Sequence, residues 1–299
     1  MSDRSEPQGS WIRFVDPERT GPAPPDRSRP LRRLLRRAVL LLSLLAATAA
    51  LAGIERARGT EERVAAAIAH GPPDRAAFWT RLQAGVRGPP RVGLQIGHEH
   101  AERHPDELAR LRTSTGAEAD GVREVDVNRS VAEAAAERLL AAGVRVDLLP
   151  ATVPPGYRAD LLVALHADAS PDPTRRGAKA AHPVPARTAR EPWALRTILD
   201  LYLEASGLPD DDANVTGAML RYYAFDARRF RHAAARSTPA VILEMGYLTH
   251  PDDLAWLLDP VGPAEALADA IVRYLAAIDR WHPGLARDPP PDVVRIPPP

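Results

Sequence analysis

The sequence predicts an α/β fold in which helices flank a mostly parallel, twisted sheet. From residue 91 onward, short apolar runs alternate with longer stretches whose apolar residues recur at helical spacing, as expected of strands joined by helices. Two runs, residues 161–165 and 240–243, are apolar without a break, which is typical of strands buried on both faces. Several runs end at a residue that could bind a metal or carry a proton. Because the carboxyl ends of parallel strands meet at one edge of a sheet, we expect these residues to share a crevice.

Glycine and proline residues divide the domain into its elements. Gly143 ends a helical pattern, Pro150 stops the strand that follows, and Gly207 closes a later helix. We therefore expect strands at residues 92–96, 144–149, 161–165 and 240–243, a short helical approach at 157–160, and helices at 130–142, 193–205, 252–258 and 264–281.

Four side chains have the types that a catalytic zinc site requires. His98, His166 and Glu244 each follow an apolar run, and Glu124 opens the segment that leads into the first helix. A catalytic zinc is held by about three protein ligands, often imidazole and carboxylate, and it lowers the pKa of bound water from about 15.7 to around 7. A further carboxylate must shuttle the proton, and Glu244 is the candidate because burying an unpaired carboxylate on an apolar strand is costly.

Neighbouring residues leave other ligand choices open. His100 could pair with His98 on one strand face, since alternate residues of a strand point the same way. Glu118 or Asp120 could take the place of Glu124. The chain has no cysteine, so any metal site must rest on histidine and carboxylate.

Other polar residues near these motifs have simpler interpretations. His104 is expected in a solvated loop or at a helix start. Asn128 and Arg158 are candidates for the edge of the site, with structural hydrogen bonding as the favoured role. His250 and Asp253 are expected to be helix-cap or surface groups.

Four stretches of the sequence resemble, in order, the motif blocks of the zinc-dependent N-acetylmuramoyl-L-alanine amidases of the Amidase_3 type. They are residues 93–98, 121–128, 159–168 and 239–249, and the resemblance covers roughly residues 91–278. It implies that His98, Glu124 and His166 bind Zn²⁺ and that Glu244 is the catalytic carboxylate. It also implies hydrolysis, by zinc-activated water, of the amide between N-acetylmuramic acid and L-alanine in peptidoglycan.

The chain departs from the family pattern beside the histidines of the first and third motif blocks, His98 and His166. Gln95 stands where the family usually has Asp, Glu99 and His100 stand where glycines are usual, and Asp168 stands where Asn is frequent. These changes leave open a catalytically silent peptidoglycan-binding or regulatory module on the same fold. Another zinc peptidase or deacetylase is also compatible with the ligand types.

Composition gives no sign of a nucleic-acid partner. The chain has 39 basic residues (Lys and Arg) and 39 acidic residues (Asp and Glu), which gives a formal net charge of +0. Only 5% of the residues are aromatic, and several of these cluster at residues 219–225, which predicts a core segment in preference to a substrate platform.

The ends of the chain predict where the protein is located. We expect a disordered basic cytoplasmic tail at residues 1–37, a transmembrane signal anchor at 38–54, a helical stalk at 55–90, the catalytic domain at 91–282 and a Pro-rich disordered tail at 283–299. Arginines before the apolar run should keep that side in the cytoplasm, so the catalytic domain would be extracytoplasmic at the cell membrane. Cleavage near residues 47–49 would instead give a secreted protein. The sequence does not identify any protein activator.

Overall fold

The computed structural model describes residues 88–282 and 293–299. Their principal feature is a six-stranded sheet with the strand order β6-β7-β5-β1-β4-β8. All of its strand pairs are parallel except β6 with β7, so the predicted mostly parallel sheet is confirmed. The strands are β1 Arg91–Ile96, β2 Glu118–Ala119, β3 Val122–Arg123, β4 Arg145–Leu149, β5 Leu161–Asp168, β6 Lys179–Ala181, β7 Ala240–Tyr247 and β8 Val294–Arg295, of which β2 and β3 form a separate antiparallel pair.

Long helices cover one face of this sheet. The α-helices are α1 Glu124–Ala141, α2 Arg190–Ser206, α3 Gly217–Leu220, α4 Pro251–Leu258 and α5 Val261–Ala277. Helix α5 packs against both α1 and α2, while α1 contacts β1, β4 and β5, and α2 contacts β7. Short 3₁₀ helices lie at Ala101–Arg103, Asp106–Leu111, Asp212–Asn214 and Tyr223–Phe225.

Alternate residues of the central strands enter two separate cores. Leu161, Val163 and Leu165 of β5 pack in the helix-covered core, whereas Leu162 and Ala164 pack in a second core with aromatic residues of the following loops. Because both faces are covered, the strand is apolar at consecutive positions, as the sequence pattern indicated.

The predicted start of the first long helix and the predicted helical segment at residues 157–160 are both wrong. The first long helix begins at Glu124, earlier than expected, and this places Glu124 in its first turn. Residues 157–160 are not helical. Tyr157 forms a parallel bridge with Ala234, its backbone N donates to the carbonyl of Ala233, and its carbonyl accepts from the N of Ala235, so these backbone groups are used in extended pairing.

The expectation of an unstructured tail over residues 283–299 is wrong for its end. Val294 and Arg295 pair with the outer edge of β4, and the backbone N of Ile296 donates to the carbonyl of Leu148 at 2.9 Å. The guanidinium of Arg295 also contacts Glu99 at 3.3 Å. The edge of β4 supplies the unpaired backbone groups that hold this otherwise Pro-rich segment.

The other terminal predictions lie outside the described residues. These are the tail at 1–37, the anchor at 38–54, the stalk up to residue 87 and the segment 283–292. Among the helices that the structure describes, none has the length and apolar character needed to cross a membrane.

Candidate metal centre

The carboxyl ends of β1 and β5 and the start of α1 bring three predicted ligands together. One ligand atom from each of His98, Glu124 and His166 can be chosen so that all lie within 4.8 Å of one another. His98 follows β1, His166 lies in the neighbouring parallel strand β5, and Glu124 is the first residue of α1. The donors are two imidazoles and one carboxylate, a set that fits a catalytic zinc ion.

A glycine permits the close approach of the two histidine rings. A Cβ on Gly97 would lie 2.5 Å from the carbonyl oxygen of Leu165 and 2.6 Å from Cε1 of His166, so a larger residue would displace the ring. His98 itself has a φ of 66°, in the left-handed region that non-glycine residues rarely adopt. The two rings meet edge to face with centroids 4.9 Å apart.

Glu124 lies at the centre of the group. Its Oε1 is 3.2 Å from Nε2 of His98 and 2.9 Å from Nδ1 of His166, and its Oε2 accepts a hydrogen bond from the backbone N of Ala117 at 2.8 Å. Burial alone would raise the pKa of Glu124, but hydrogen bonds and the charges of the two histidines lower it well below its usual range. The positive end of α1 also favours an anion at this position.

A loop that precedes the small hairpin fixes the orientation of His98. Its Nδ1 lies 2.8 Å from the carbonyl oxygen of Ser114, which can only accept, so Nδ1 carries the hydrogen and Nε2 faces Glu124. Burial lowers the pKa of His98, but the hydrogen bond and charge of Glu124 raise it above its ordinary value. Asn128 supports the same region, since its Nδ2 lies 3.3 Å from both the carbonyl oxygen of Gly97 and Oε1 of Glu124.

The alternative ligands do not join this group among the described residues. His100 is exposed and lies 3.6 Å from Glu102, and both Glu118 and Asp120 are exposed on or beside the hairpin. Arg158 is likewise exposed and does not line the cleft.

Two expectations about neighbouring residues need correction. His104 is buried, not solvated, and its Nδ1 lies 2.6 Å from Oγ1 of Thr152. Burial and the nearby charges of His98 and Arg112 lower its pKa to about 4. Asp253 is also buried, where its Oδ2 accepts from two backbone N–H groups.

His250 does cap a helix, because its side chain accepts a hydrogen bond from the backbone N of Asp252 at the start of α4. The aromatic segment is largely core, as expected, since Tyr223 and Phe225 are buried on the second face of the sheet. Tyr222 is the exception, with its hydroxyl 3.4 Å from Nε2 of His166.

Glu244 opens onto the same cleft as the three candidate ligands. The cleft has a volume of about 400 Å³, and its lining includes His98, Glu124, His166, Asp168 and Glu244. Glu244 stands beside His166 in the register of β7 with β5 and is half-buried. Burial and the charges of Glu124 and Asp168 raise its pKa well above the ordinary value, against a smaller opposing effect of a lysine. A carboxyl group perturbed in this way is suited to accept and return a proton.

That lysine, Lys179, was missed as a component of the site. It is the only lysine in the chain and lies opposite Glu244 in the antiparallel pairing of β6 with β7. It is only 1% exposed, and its Nζ lies 2.7 Å from Asp168 and 3.3 Å from Asp211 and donates to the hydroxyl of Tyr247 at 2.5 Å. Burial would lower the pKa of Lys179, but these partners raise it, so it stays charged and fixes Asp168 at the edge of the cleft.

Replacing Lys179 with methionine is expected to lower the free energy of unfolding by about 3–5 kcal/mol, because two partly buried carboxylates would lose their cation. Chemical denaturation of the purified variant measures this loss. The matched control is Arg196→Met, which breaks an ion pair with Asp200 in which both side chains are more than half exposed, and should change stability by less than about 0.5 kcal/mol. Equal stability of the two variants would contradict the structural role of Lys179.

Two of the residues that depart from the family pattern, Gln95 and Glu99, have structural partners away from the ligand atoms. Gln95 is buried, and its Nε2 donates to the carbonyl of Ala151 at 2.6 Å and to the hydroxyl of Tyr223 at 2.7 Å. Glu99 is buried against Arg129 at 2.9 Å. The partners of Gln95 and Glu99 therefore lie outside the His-Glu-His group, which forms despite both departures.

Fold and cleft together define an α/β protein with a His-Glu-His group of the type that binds a catalytic metal. The model of the Amidase_3 family, described as N-acetylmuramoyl-L-alanine amidase, matches residues 68–276. The chain belongs to this family. The match begins within the segment predicted as a stalk, and no curated protein matches the chain.

Several solved structures are similar to the chain at low identity. The amidase Ami1 from Mycobacterium smegmatis is 22% identical, with 64% of this chain and 96% of that chain covered and a TM-score of 0.46. The catalytic domain of the amidase CwlV from Bacillus (Paenibacillus) polymyxa var. colistinus is 19% identical, covering 62% and 98%, with a TM-score of 0.43. The CwlD amidase from Clostridioides difficile, solved in complex with the GerS lipoprotein, is 16% identical, covering 63% and 99%, with a TM-score of 0.43.

Proposed function

We propose that the chain is a zinc-dependent peptidoglycan amidase that hydrolyses the bond between N-acetylmuramic acid and L-alanine. The observation that carries this proposal is the convergence of His98, Glu124 and His166 in a cleft that Glu244 also lines, in a chain of the amidase family. These three residues would hold the metal. Family membership supports the substrate, and the residue types support the chemistry.

The side chains of the cleft would each have a separate role in hydrolysis. A zinc ion held there would supply a Lewis acid that lowers the pKa of water to around 7, and its charge would favour the ionised form of Glu244. Glu244 would take the proton of the attacking water and return it to the leaving amine of L-alanine. Ser114 and Asn128 would keep His98 and Glu124 oriented through the hydrogen bonds described above.

Digestion of purified sacculi by the full-length protein tests this function. We expect new free amino groups on L-alanine, loss of that release after chelation, and its return when zinc is added back. The same release from a zinc-free preparation would refute the metal requirement. Acetate as the product would instead identify a deacetylase. A new amino group on a residue other than L-alanine would identify a peptidase, and tight sacculus binding without cleavage would identify a silent binding module.

The proposed substrate requires the domain to lie outside the cytoplasm. We propose that residues 38–54 anchor the chain in the cell membrane, or that the leader is cleaved and the domain secreted, on the strength of the apolar run and the arginines before it. Protease added to intact spheroplasts tests this orientation, since a protected domain would rule it out.

A further inference from the structure

A second cavity lies beside the candidate metal centre and shares one residue with its surroundings. It has a volume of about 290 Å³. Tyr222 lines this cavity, and its hydroxyl lies 3.4 Å from Nε2 of His166. Tyr222 therefore links the wall of the second cavity to the candidate metal centre.

The cavity carries an excess of positive charge. Its lining contains six arginines and a single carboxylate, Asp226. The whole chain has equal numbers of basic and acidic residues, so this concentration is local and does not reflect composition. Such a cavity attracts anions, because clustered like charges in a concave site reinforce one another.

Most of these arginines lack a carboxylate partner. Arg187 is the exception, since it is held by Glu191 at 2.8 Å and by backbone carbonyls, including that of Phe225 at 3.0 Å. The other five are exposed, and none forms an ion pair within the described part of the chain; they are Arg110, Arg221, Arg228, Arg229 and Arg236. Their guanidinium groups remain available for an anionic ligand.

The floor of the cavity is apolar and fixed. Phe225 and Phe230 are 4% and 9% exposed, and the guanidinium of Arg229 lies 5.2 Å from the centre of the Phe230 ring. The hydrogen bonds of Arg187 to the carbonyls of Phe225 and Thr238 tie this floor to the start of β7. A fixed apolar surface bordered by unpaired arginines suits a ligand that carries both alkyl groups and carboxylates.

We propose that this cavity binds the free carboxylates of the peptide portion of the substrate, on the amine side of the scissile bond. The inference rests on the proposed amidase function and names the part of the substrate that the second cavity recognises. Charge complementarity selects the peptide, because the lactyl carboxyl group of the muramic acid is consumed in the amide and the N-acetylated sugars are uncharged.

The test compares binding of two synthetic muramoyl peptides, one with free carboxylates and one with the same carboxylates converted to amides. The variant is the double substitution Arg221→Gln with Arg229→Gln, which removes two exposed charges. Its matched control is Arg138→Gln with Arg196→Gln, which removes two exposed arginines from α1 and α2 that pair with Glu265 and Asp200. All proteins are zinc-loaded and carry Glu244→Gln, so that binding is measured by calorimetry without turnover.

We expect the cavity variant to bind the free-carboxylate peptide about tenfold more weakly, from two exposed charge contacts, with unchanged binding of the amidated peptide and a smaller salt dependence. The control double variant should bind both peptides as its parent does. In the background that keeps Glu244, the cavity variant should raise KM with little change in kcat.

The cavity assignment would be overturned if the protein that carries only Glu244→Gln bound the two peptides equally. It would also be overturned if both double variants lost the same amount of peptide affinity. Sacculus digestion by the unsubstituted protein is measured in parallel. Amidase activity of that protein, together with unchanged peptide binding by the cavity variant, would refute the cavity assignment and leave the proposed function standing. Loss of polyphosphate binding in the cavity variant, with peptide binding intact, would assign the arginines to a phosphate-bearing polymer and overturn the proposal as well.

Discussion

Replacing Glu244 with glutamine is expected to lower kcat by about 10²–10⁴-fold, the contribution typical of a general acid–base group. Glutamine has nearly the same shape as glutamate but cannot take a proton from water or return one to the leaving amine. The three ligand atoms that lie within 4.8 Å of one another do not include Glu244, so zinc content should equal that of the wild type. Sacculus digestion and metal analysis of the same preparation measure both quantities.

Without metal, the Glu244→Gln variant should also be at least as stable as the metal-free wild type. Burial and the neighbouring carboxylates raise the pKa of Glu244 well above its ordinary value, so the fold disfavours its ionised form. A neutral amide removes that unfavourable charge. Inactivity combined with undiminished stability would separate a chemical role from a structural one.

The control for this variant is Glu265→Gln, on the exposed side of α5. Glu265 pairs with Arg138 at 3.0 Å, and both side chains are at least 40% exposed, so its loss should alter neither activity nor stability measurably. Full turnover by Glu244→Gln would remove Glu244 from the mechanism. Loss of zinc together with activity would instead make Glu244 a ligand.

The three-residue candidate metal group could be predicted because local rules and topology agree at its positions. Apolar runs that end at His98 and His166 predict adjacent strand ends, and parallel pairing of β1 with β5 brings those ends together. Glu124 precedes a helical pattern, and the structure places it in the first turn of α1, where a carboxylate is favoured.

The supporting residues could not be predicted because their partners are distant in sequence. His104 is followed by Pro, Asp and Glu, which suggested solvent exposure, yet it is buried against Thr152, 48 positions away. Lys179 lies in a three-residue edge strand, too short for a periodic pattern, and only its pairing with β7 sets it opposite Glu244. A solitary lysine among small residues was the one available signal, and it does not indicate a partner.

Replacing Glu124 with glutamine is expected to weaken zinc binding by more than the roughly 10–100-fold that loss of an outer hydrogen-bonding partner produces. Oε1 of Glu124 lies close to the ring nitrogens of both His98 and His166, so its charge is central to the ligand set. The amide keeps the shape but removes the charge. Competition with a chromogenic chelator measures zinc affinity, and circular dichroism verifies that the variant is folded.

The matched control for the Glu124 variant is Glu118→Gln, in the adjacent hairpin. Glu118 is an exposed carboxylate of β2 that the sequence left open as an alternative ligand, and it lies outside the group of converging atoms. Zinc affinity should therefore be unchanged in this variant. If Glu118→Gln lost the metal while Glu124→Gln kept it, the ligand would belong to the hairpin, and the first turn of α1 would have only a structural role.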